Sequence, residues 1–277
     1  MIKERISILG CGWLGVPLGK YLAGKGHLVS GSVTSAEGFR VLEANGIKPF
    51  RIILTEHSVE AEDLSFFDAD VLIISVPPRR TEGVGEIYPA QIEQIVPLIK
   101  SHQVRKVIFI SSTSVYPENK KVATEDSFLE PNKASGKALI SAESLLIRCP
   151  EFKTTVIRFG GLIGADRNPA RFLQKSGRPV SNVPVNLIHL DDCIGIISGV
   201  ISEEIWDEVL NACCPQHPSK KEFYGKAAEL ENLPLPLFSD EDGEYKIVDS
   251  SKLIRLLNYS FKFDSPLDYL NSLAINS

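Results

Sequence analysis

A glycine turn near the start of the chain limits its fold more than any other feature. Ile6 to Leu9 is a short apolar run that stops at Gly10, and Gly10-Cys11-Gly12-Trp13-Leu14-Gly15 follows as G-x-G-x-x-G. Val16 to Ala23 then carries helical spacing and stops at Gly24 and Gly26. The first glycine allows a tight turn, the second lets backbone approach a ligand, and the third lets the helix pack on the strand. The helix begins with free N–H groups and the positive end of its dipole, which suits a pyrophosphate. Gly10, Gly12, Trp13, Leu14 and Gly15 are therefore candidate cofactor contacts.

The same alternation continues. Apolar runs at Leu28 to Val33, Phe50 to Leu54, Val71 to Val76, Val107 to Ile110 and Thr155 to Phe159 read as strands. Ile87 to Ile99 reads as one long helix, with Ile92, Ile95, Val96 and Ile99 on one face, and Ala134 to Ile147 as another. Strands rich in Val and Ile that alternate with helices predict an α/β chain, a Rossmann-like doubly wound parallel sheet of at least six strands. After Phe159 the rhythm changes. Residues 160–186, with many Gly, Pro and Arg, read as loop; Asp191 to Ile201 reads as a helix capped by Asp191 or Asp192; Val209 to Ala212 returns to the sheet edge. The expected domains are a dinucleotide-binding domain over 1–160, to which 186–212 returns, and a smaller C-terminal substrate lobe formed by 161–185 and 213–277.

The strand ends indicate which dinucleotide. The second strand ends Gly31-Ser32-Val33-Thr34-Ser35, and no acid appears before Glu37. An acid there holds the ribose hydroxyls of NAD and repels a 2′-phosphate, so its absence favours NADP, with NAD as the alternative. Thr34 and Ser35 can donate to the phosphate and Arg40 can add charge; capping of the next helix is the other reading of these polar residues. The fourth strand ends Ser75-Val76-Pro77-Pro78-Arg79-Arg80, and its carboxyl end lies over the crevice of such a sheet. Pro77, Arg79 and Arg80 are candidate contacts, the arginines to phosphate.

Composition excludes other classes. The 277 residues carry a net charge of −5 with no dominant basic patch, which argues against nucleic acid. No apolar run reaches transmembrane length, so no membrane is expected. The five cysteines, Cys11, Cys149, Cys193, Cys213 and Cys214, are scattered, odd in number and without metal-site spacing. They fit a reducing compartment, and the expected location is cytoplasmic.

Several short motifs now resemble one family. Ile110-Ser111-Ser112-Thr113-Ser114-Val115-Tyr116 resembles the S-S-x-x-V-Y signature of extended short-chain dehydrogenases, and Asn186-Leu187-Ile188-His189-Leu190-Asp191-Asp192 resembles their I-H-x-x-D segment. Arg158-Phe159-Gly160-Gly161-Leu162-Ile163-Gly164 resembles the stretch after the sixth strand, and Lys246-Ile247-Val248-Asp249-Ser250 with Leu257-Asn258-Tyr259 resembles the terminal segment. The chain is similar in this order to the NAD-dependent epimerase/dehydratase superfamily, and most to its atypical YeeZ-type branch, which has the same G-W-L-G turn.

The resemblance implies Ser112 as the catalytic Ser/Thr, three residues before Val115, with Ser111 beside the cofactor. It implies Lys137 as the lysine of the Tyr-x-x-x-Lys pair, and the tyrosine place then holds Lys133. No tyrosine lies between Tyr116 and Tyr224. A phenol that exchanges protons with the substrate is therefore missing, together with acid–base help worth about two to four orders of magnitude. The glycine turn also departs from the extended family's G-x-x-G-x-x-G.

Two functions stay open: an NADP(H)-dependent oxidoreductase or epimerase on a sugar-like or small carbonyl substrate, and a cofactor-binding redox sensor or regulatory protein without turnover. Arg167 and Arg171, after the sixth strand, are expected to close over the crevice and suit an anionic substrate. His189 is a candidate for the pocket wall. The resemblance further implies a homodimer through Ile87 to Lys100 and Ala134 to Arg148, with Leu139, Leu146 and Ile147 partly outward.

Overall fold

The computed structural model describes residues 3–79, 81–164, 167, 169–173, 179–239 and 242–275; Arg80 lies outside them. Eight strands form one sheet: β1 (Arg5–Leu9), β2 (Leu28–Val33), β3 (Lys48–Leu54), β4 (Val59–Ala61), β5 (Val71–Ile74), β6 (Lys106–Ser112), β7 (Lys153–Phe159) and β8 (Val209–Ala212). Their spatial order is β8-β7-β6-β5-β1-β2-β3-β4. All neighbours pair in parallel except β4, which returns antiparallel on β3 at the edge. The order reverses direction between β1 and β5, and a crevice opens there beyond the carboxyl ends of the strands.

Apolar strands covered on both faces explain the sheet. One face carries α1 (Gly15–Gly24), α2 (Ala36–Ala44) and α6 (Leu190–Ser202), whose Leu18, Leu22, Leu42, Ile197 and Val200 pack on Ile6, Ile8 and Ile108. The other carries α3 (Val84–Glu93), α4 (Val96–Ser101) and α5 (Ala134–Ile147), whose Tyr88, Ile92, Ile99, Ala142 and Leu146 pack on Leu72, Ile74, Phe109 and Val156. A third, smaller cluster joins Ile163, Val185 and Leu187 to Phe223 and Ala227 of α7 (Lys220–Leu230) and to Tyr269 and Leu270 of α9 (Pro266–Ile275). Between those helices, α8 (Ser251–Leu257) packs Leu253 against the first cluster.

Several expectations need correction. The helix read over Ile87 to Ile99 is two, α3 and α4, because Pro97 has no N–H to continue the ladder and sits instead in the first turn of a new helix. The cap of α6 is neither Asp191 nor Asp192. His189 Nδ1 accepts the N–H of Asp191 at 3.2 Å, and Asp192 is buried. Leu139 and Leu146 do not face outward; both are buried on α5, and of the three only Ile147 is exposed. The stretch read as loop over 160–186 contains two short strands. Gly161–Ile163 pairs with Leu187–His189, and Val180–Ser181 pairs with Phe238–Ser239.

Candidate functional site

A cavity of about 690 Å³ lies at the crevice between β1 and β5. Its floor is the glycine turn. Gly10 has φ +94°, a conformation that L side chains rarely adopt, and a Cβ there would lie 2.7 Å from Val76 Cγ2. The turn is fastened to β2, since Gly10 N–H donates to Ser32 Oγ at 2.8 Å and Cys11 N–H to the Ser32 carbonyl at 2.9 Å. Gly12 faces open space, and a Cβ built on it meets nothing within 4 Å. At α1 the cap residue, Leu14, makes no side-chain cap bond, and the first turn holds no acid. An anion therefore has room and N–H groups in front of this helix.

Of the candidate cofactor contacts, Gly10, Gly12, Trp13, Leu14, Thr34, Ser35, Pro77, Arg79 and Ser111 all line the cleft. Gly15 does not. It opens α1 beneath the turn, where a Cβ would sit 2.8 Å from the Gly10 carbonyl oxygen. Ser35 also caps α2 by accepting the Gly38 N–H at 3.2 Å. Residues Ile52 to Leu54 form the wall beyond β2. The loop after β5 is held by Tyr88, whose hydroxyl donates to the Val76 carbonyl at 2.7 Å.

At the β6–β7 end, Ser112 lines the cleft, and its Oγ accepts the Ser114 N–H at 3.2 Å. That bond leaves the hydroxyl proton free to donate into the cavity. Lys137 is exposed and does not line the cleft. The residue of α5 that does is Leu139, and one helical turn earlier on the same face stands Ser135. A Tyr-x-x-x-Lys pair aimed at the cleft would need positions 135 and 139, which hold Ser and Leu. Phe159, Gly160, Leu162 and Arg167 line the cavity, while Arg171 and Arg40 do not. His189 is also outside it, packed between Phe263 and Tyr269. Burial lowers its pKa, and the nearby Asp191 opposes the shift without cancelling it. Cys11 lines the floor, and burial pushes its thiol up to about 12, which removes it as a nucleophile.

Beneath Ser111 lies a buried polar row. The register places Ser111 of β6, Arg158 of β7 and Asn211 of β8 side by side. Ser111 Oγ donates to Glu143 Oε1 of α5 at 2.5 Å, and Arg158 meets the same carboxylate through Nε at 3.1 Å and Nη2 at 2.6 Å. The third guanidinium nitrogen donates to the Tyr116 hydroxyl at 2.7 Å, and that hydroxyl donates to Asn211 Oδ1 at 2.8 Å. Burial raises the Tyr116 pKa, and Arg158 opposes the rise without cancelling it. Sequence reasoning missed Glu143; its one signal is an acid on the apolar face of α5. Arg158 itself points away from the cleft, because neighbouring strand residues face opposite sides and Phe159 takes the cavity side.

No protein-family model matches the chain. It is 32% identical over 268 residues to Protein YeeZ of Escherichia coli strain K12, covering 95% of this chain and 98% of that protein. Among solved structures it is similar to a functionally unknown conserved protein from Silicibacter pomeroyi, with TM-score 0.81, 21% identity and 99% of each chain covered. It is also similar to UDP-glucuronic acid 4-epimerase from Bacillus cereus in complex with NAD, with TM-score 0.76, 19% identity, and 97% of this chain and 99% of that one covered. UDP-N-acetylglucosamine 4-epimerase from Bacillus cereus matches with TM-score 0.78 at 16% identity, with 99% of each chain covered. The last three likenesses concern the fold, and the first covers nearly the whole sequence: the chain shares the fold of these epimerase structures and belongs to the YeeZ family.

Proposed function

We propose that the cleft binds a nicotinamide dinucleotide, NADP(H) in preference to NAD(H), and that the protein is an oxidoreductase or epimerase acting on a sugar-like or small carbonyl substrate. One observation carries the choice of cofactor. Among the described residues that line the cleft there is no Asp or Glu, and the charged side chains are Arg79 and Arg167, in a chain of net charge −5. A carboxylate at the end of β2 would repel a 2′-phosphate; Thr34 and Ser35 offer donors there instead. The solved UDP-glucuronic acid 4-epimerase holds NAD on the same fold, which supports the dinucleotide class.

The cofactor, when bound, supplies or accepts a hydride. The chain's own contribution is positional. The glycine turn seats the pyrophosphate before α1, Pro77 and Pro78 wall the crevice above β5, and Ser112 offers a proton to a substrate oxygen. Leu139 and Phe159 keep that end apolar. Titration with NADPH and NADH tests the cofactor reading, which fails if NADH binds tenfold tighter, about 1.4 kcal/mol. Following NADPH oxidation with a panel of aldehydes, ketones and keto-sugars tests turnover.

A second reading, a cofactor-binding redox sensor or regulator without turnover, is favoured by a separate observation. Positions 135 and 139 of α5 hold Ser and Leu where proton chemistry would need a phenol and an ammonium. Tight NADPH binding with no oxidation across the panel would select this reading.

A further inference from the structure

We propose that Arg167 is a phosphate clamp that reaches the cofactor from the loop after β7, and that the face of Trp13 is its resting place when no phosphate is bound. This rests on the reading that the cleft takes a dinucleotide. Trp13 belongs to the glycine turn and stands directly before the N-terminus of α1, where a pyrophosphate is held. Arg167 comes from the far side of the cleft, and its guanidinium carbon lies 4.2 Å from the Trp13 ring centroid. The approach is built by the backbone. Arg167 N–H donates to the Gly164 carbonyl at 3.0 Å, and the two residues form an antiparallel bridge. Gly164 itself is pressed against the indole, since a Cβ there would lie 3.1 Å from Trp13 Cζ2. The turn therefore delivers the side chain of Arg167 to the indole and, with it, to the mouth of the anion site.

The guanidinium makes no ion pair and no side-chain hydrogen bond among the described residues. A planar cation with five donors, held on an aromatic face at the edge of a cleft whose described lining has no carboxylate, is suited to take a phosphate. Stacking on a ring leaves those donors to water. A phosphate takes two of them in a bidentate, charge-assisted contact, so it outcompetes the ring for the same side chain. Arg79 also lines the cleft, on the loop after β5, and is not part of this contact.

The chain has two tryptophans, and Trp206 hydrogen-bonds Glu204 and lies under Lys106, well away from the cleft lining. In a Trp206→Phe background Trp13 is the sole indole reporter. Its emission is expected to change when ADP or NADPH is added, as the cation leaves the ring, and to stay unchanged with adenosine. Arg167→Ala should start near the emission of the bound state. It should weaken NADPH, NADH and ADP alike, by about 10- to 100-fold, and leave adenosine binding and the NADPH-to-NADH ratio as they were. Arg167→Lys, which keeps the charge and loses the fork, should fall between. Equal affinities of wild type and Arg167→Ala for ADP overturn the clamp. A loss confined to NADPH also overturns it, because the contact is then to the 2′-phosphate. Wild-type protein that binds neither NADPH nor NADH overturns the cofactor reading itself, which the equal-affinity outcome does not.

Discussion

At the glycine-turn end the cleft is built from backbone. At the β6–β7 end it rests on side chains that meet across three strands and a helix. The first end keeps its features within six consecutive residues, with Gly12 open to the cavity and α1 uncapped by any side chain. The second takes Leu139 of α5 into its lining and holds its buried charges out of reach. Glu143 and Arg158 are 2% and 4% exposed and pair with each other rather than with a ligand. On the proposed reading, binding and chemistry are separable in this fold: phosphate recognition needs a turn and a helix end, whereas proton transfer needs particular side chains at particular places.

The largest effect should come from the buried row. Removing one partner of a buried ion pair leaves the other charge uncompensated, so Glu143→Ala should cost about 3–5 kcal/mol in a urea unfolding titration. The double variant Glu143→Leu with Arg158→Met should recover most of it. If Glu143→Ala costs no more than a surface substitution, the row is not what holds this end together.

At the opposite end, Gly12→Leu should leave the unfolding midpoint nearly unchanged, because a side chain there enters open space. The same space is the pyrophosphate's. NADPH affinity should drop at least about 100-fold, about 2.7 kcal/mol, in a fluorescence titration. Retained affinity would place the dinucleotide elsewhere.

Ser112→Ala separates the two readings of function. With turnover, it should lower the rate by about 10²–10³-fold, the usual cost of one polarising donor, while NADPH affinity stays within about twofold. Without turnover, no redox rate exists to lose, and only the affinity remains to be measured.

The smallest effect concerns Asp192, where a charge is buried outside the cleft. Its Oδ1 accepts the Tyr259 hydroxyl at 3.0 Å and the Lys262 N–H at 2.7 Å, and burial raises its pKa in the folded chain. The folded state then holds the proton more tightly than the unfolded one, so this group costs stability as pH rises through the ordinary carboxylate value of about 3.9. The cost is complete above the raised folded value. Asp192→Asn keeps the acceptor and removes the titration, so melting temperatures measured upward from about pH 4 should fall less for the variant than for the parent. Parallel curves would show that the carboxylate is not strained by burial.

Much of this molecule is legible in single stretches of chain. β2 over Leu28–Val33, α5 over Ala134–Ile147 and β8 over Val209–Ala212 have the bounds that composition and period give, because each is one apolar pattern with a clear stop. The break in the long apolar stripe is legible too, because Pro97 stands within it and cannot continue the helical ladder.

The sequence by itself determined the glycine turn, since a strand, three spaced glycines and a helix are local. It also determined the doubly wound sheet and the missing acid after β2. Only the tertiary structure decided which face of α5 meets the cleft. That choice takes Lys137 to solvent and brings Leu139 to the wall, and a helix presents its faces 100° apart, so a register error of two residues reverses the answer. Only the tertiary structure brought Glu143 to Arg158 and Arg167 to Trp13. Those contacts join residues 15 and 154 positions apart, and no local period encodes a meeting made by the packing of separate elements.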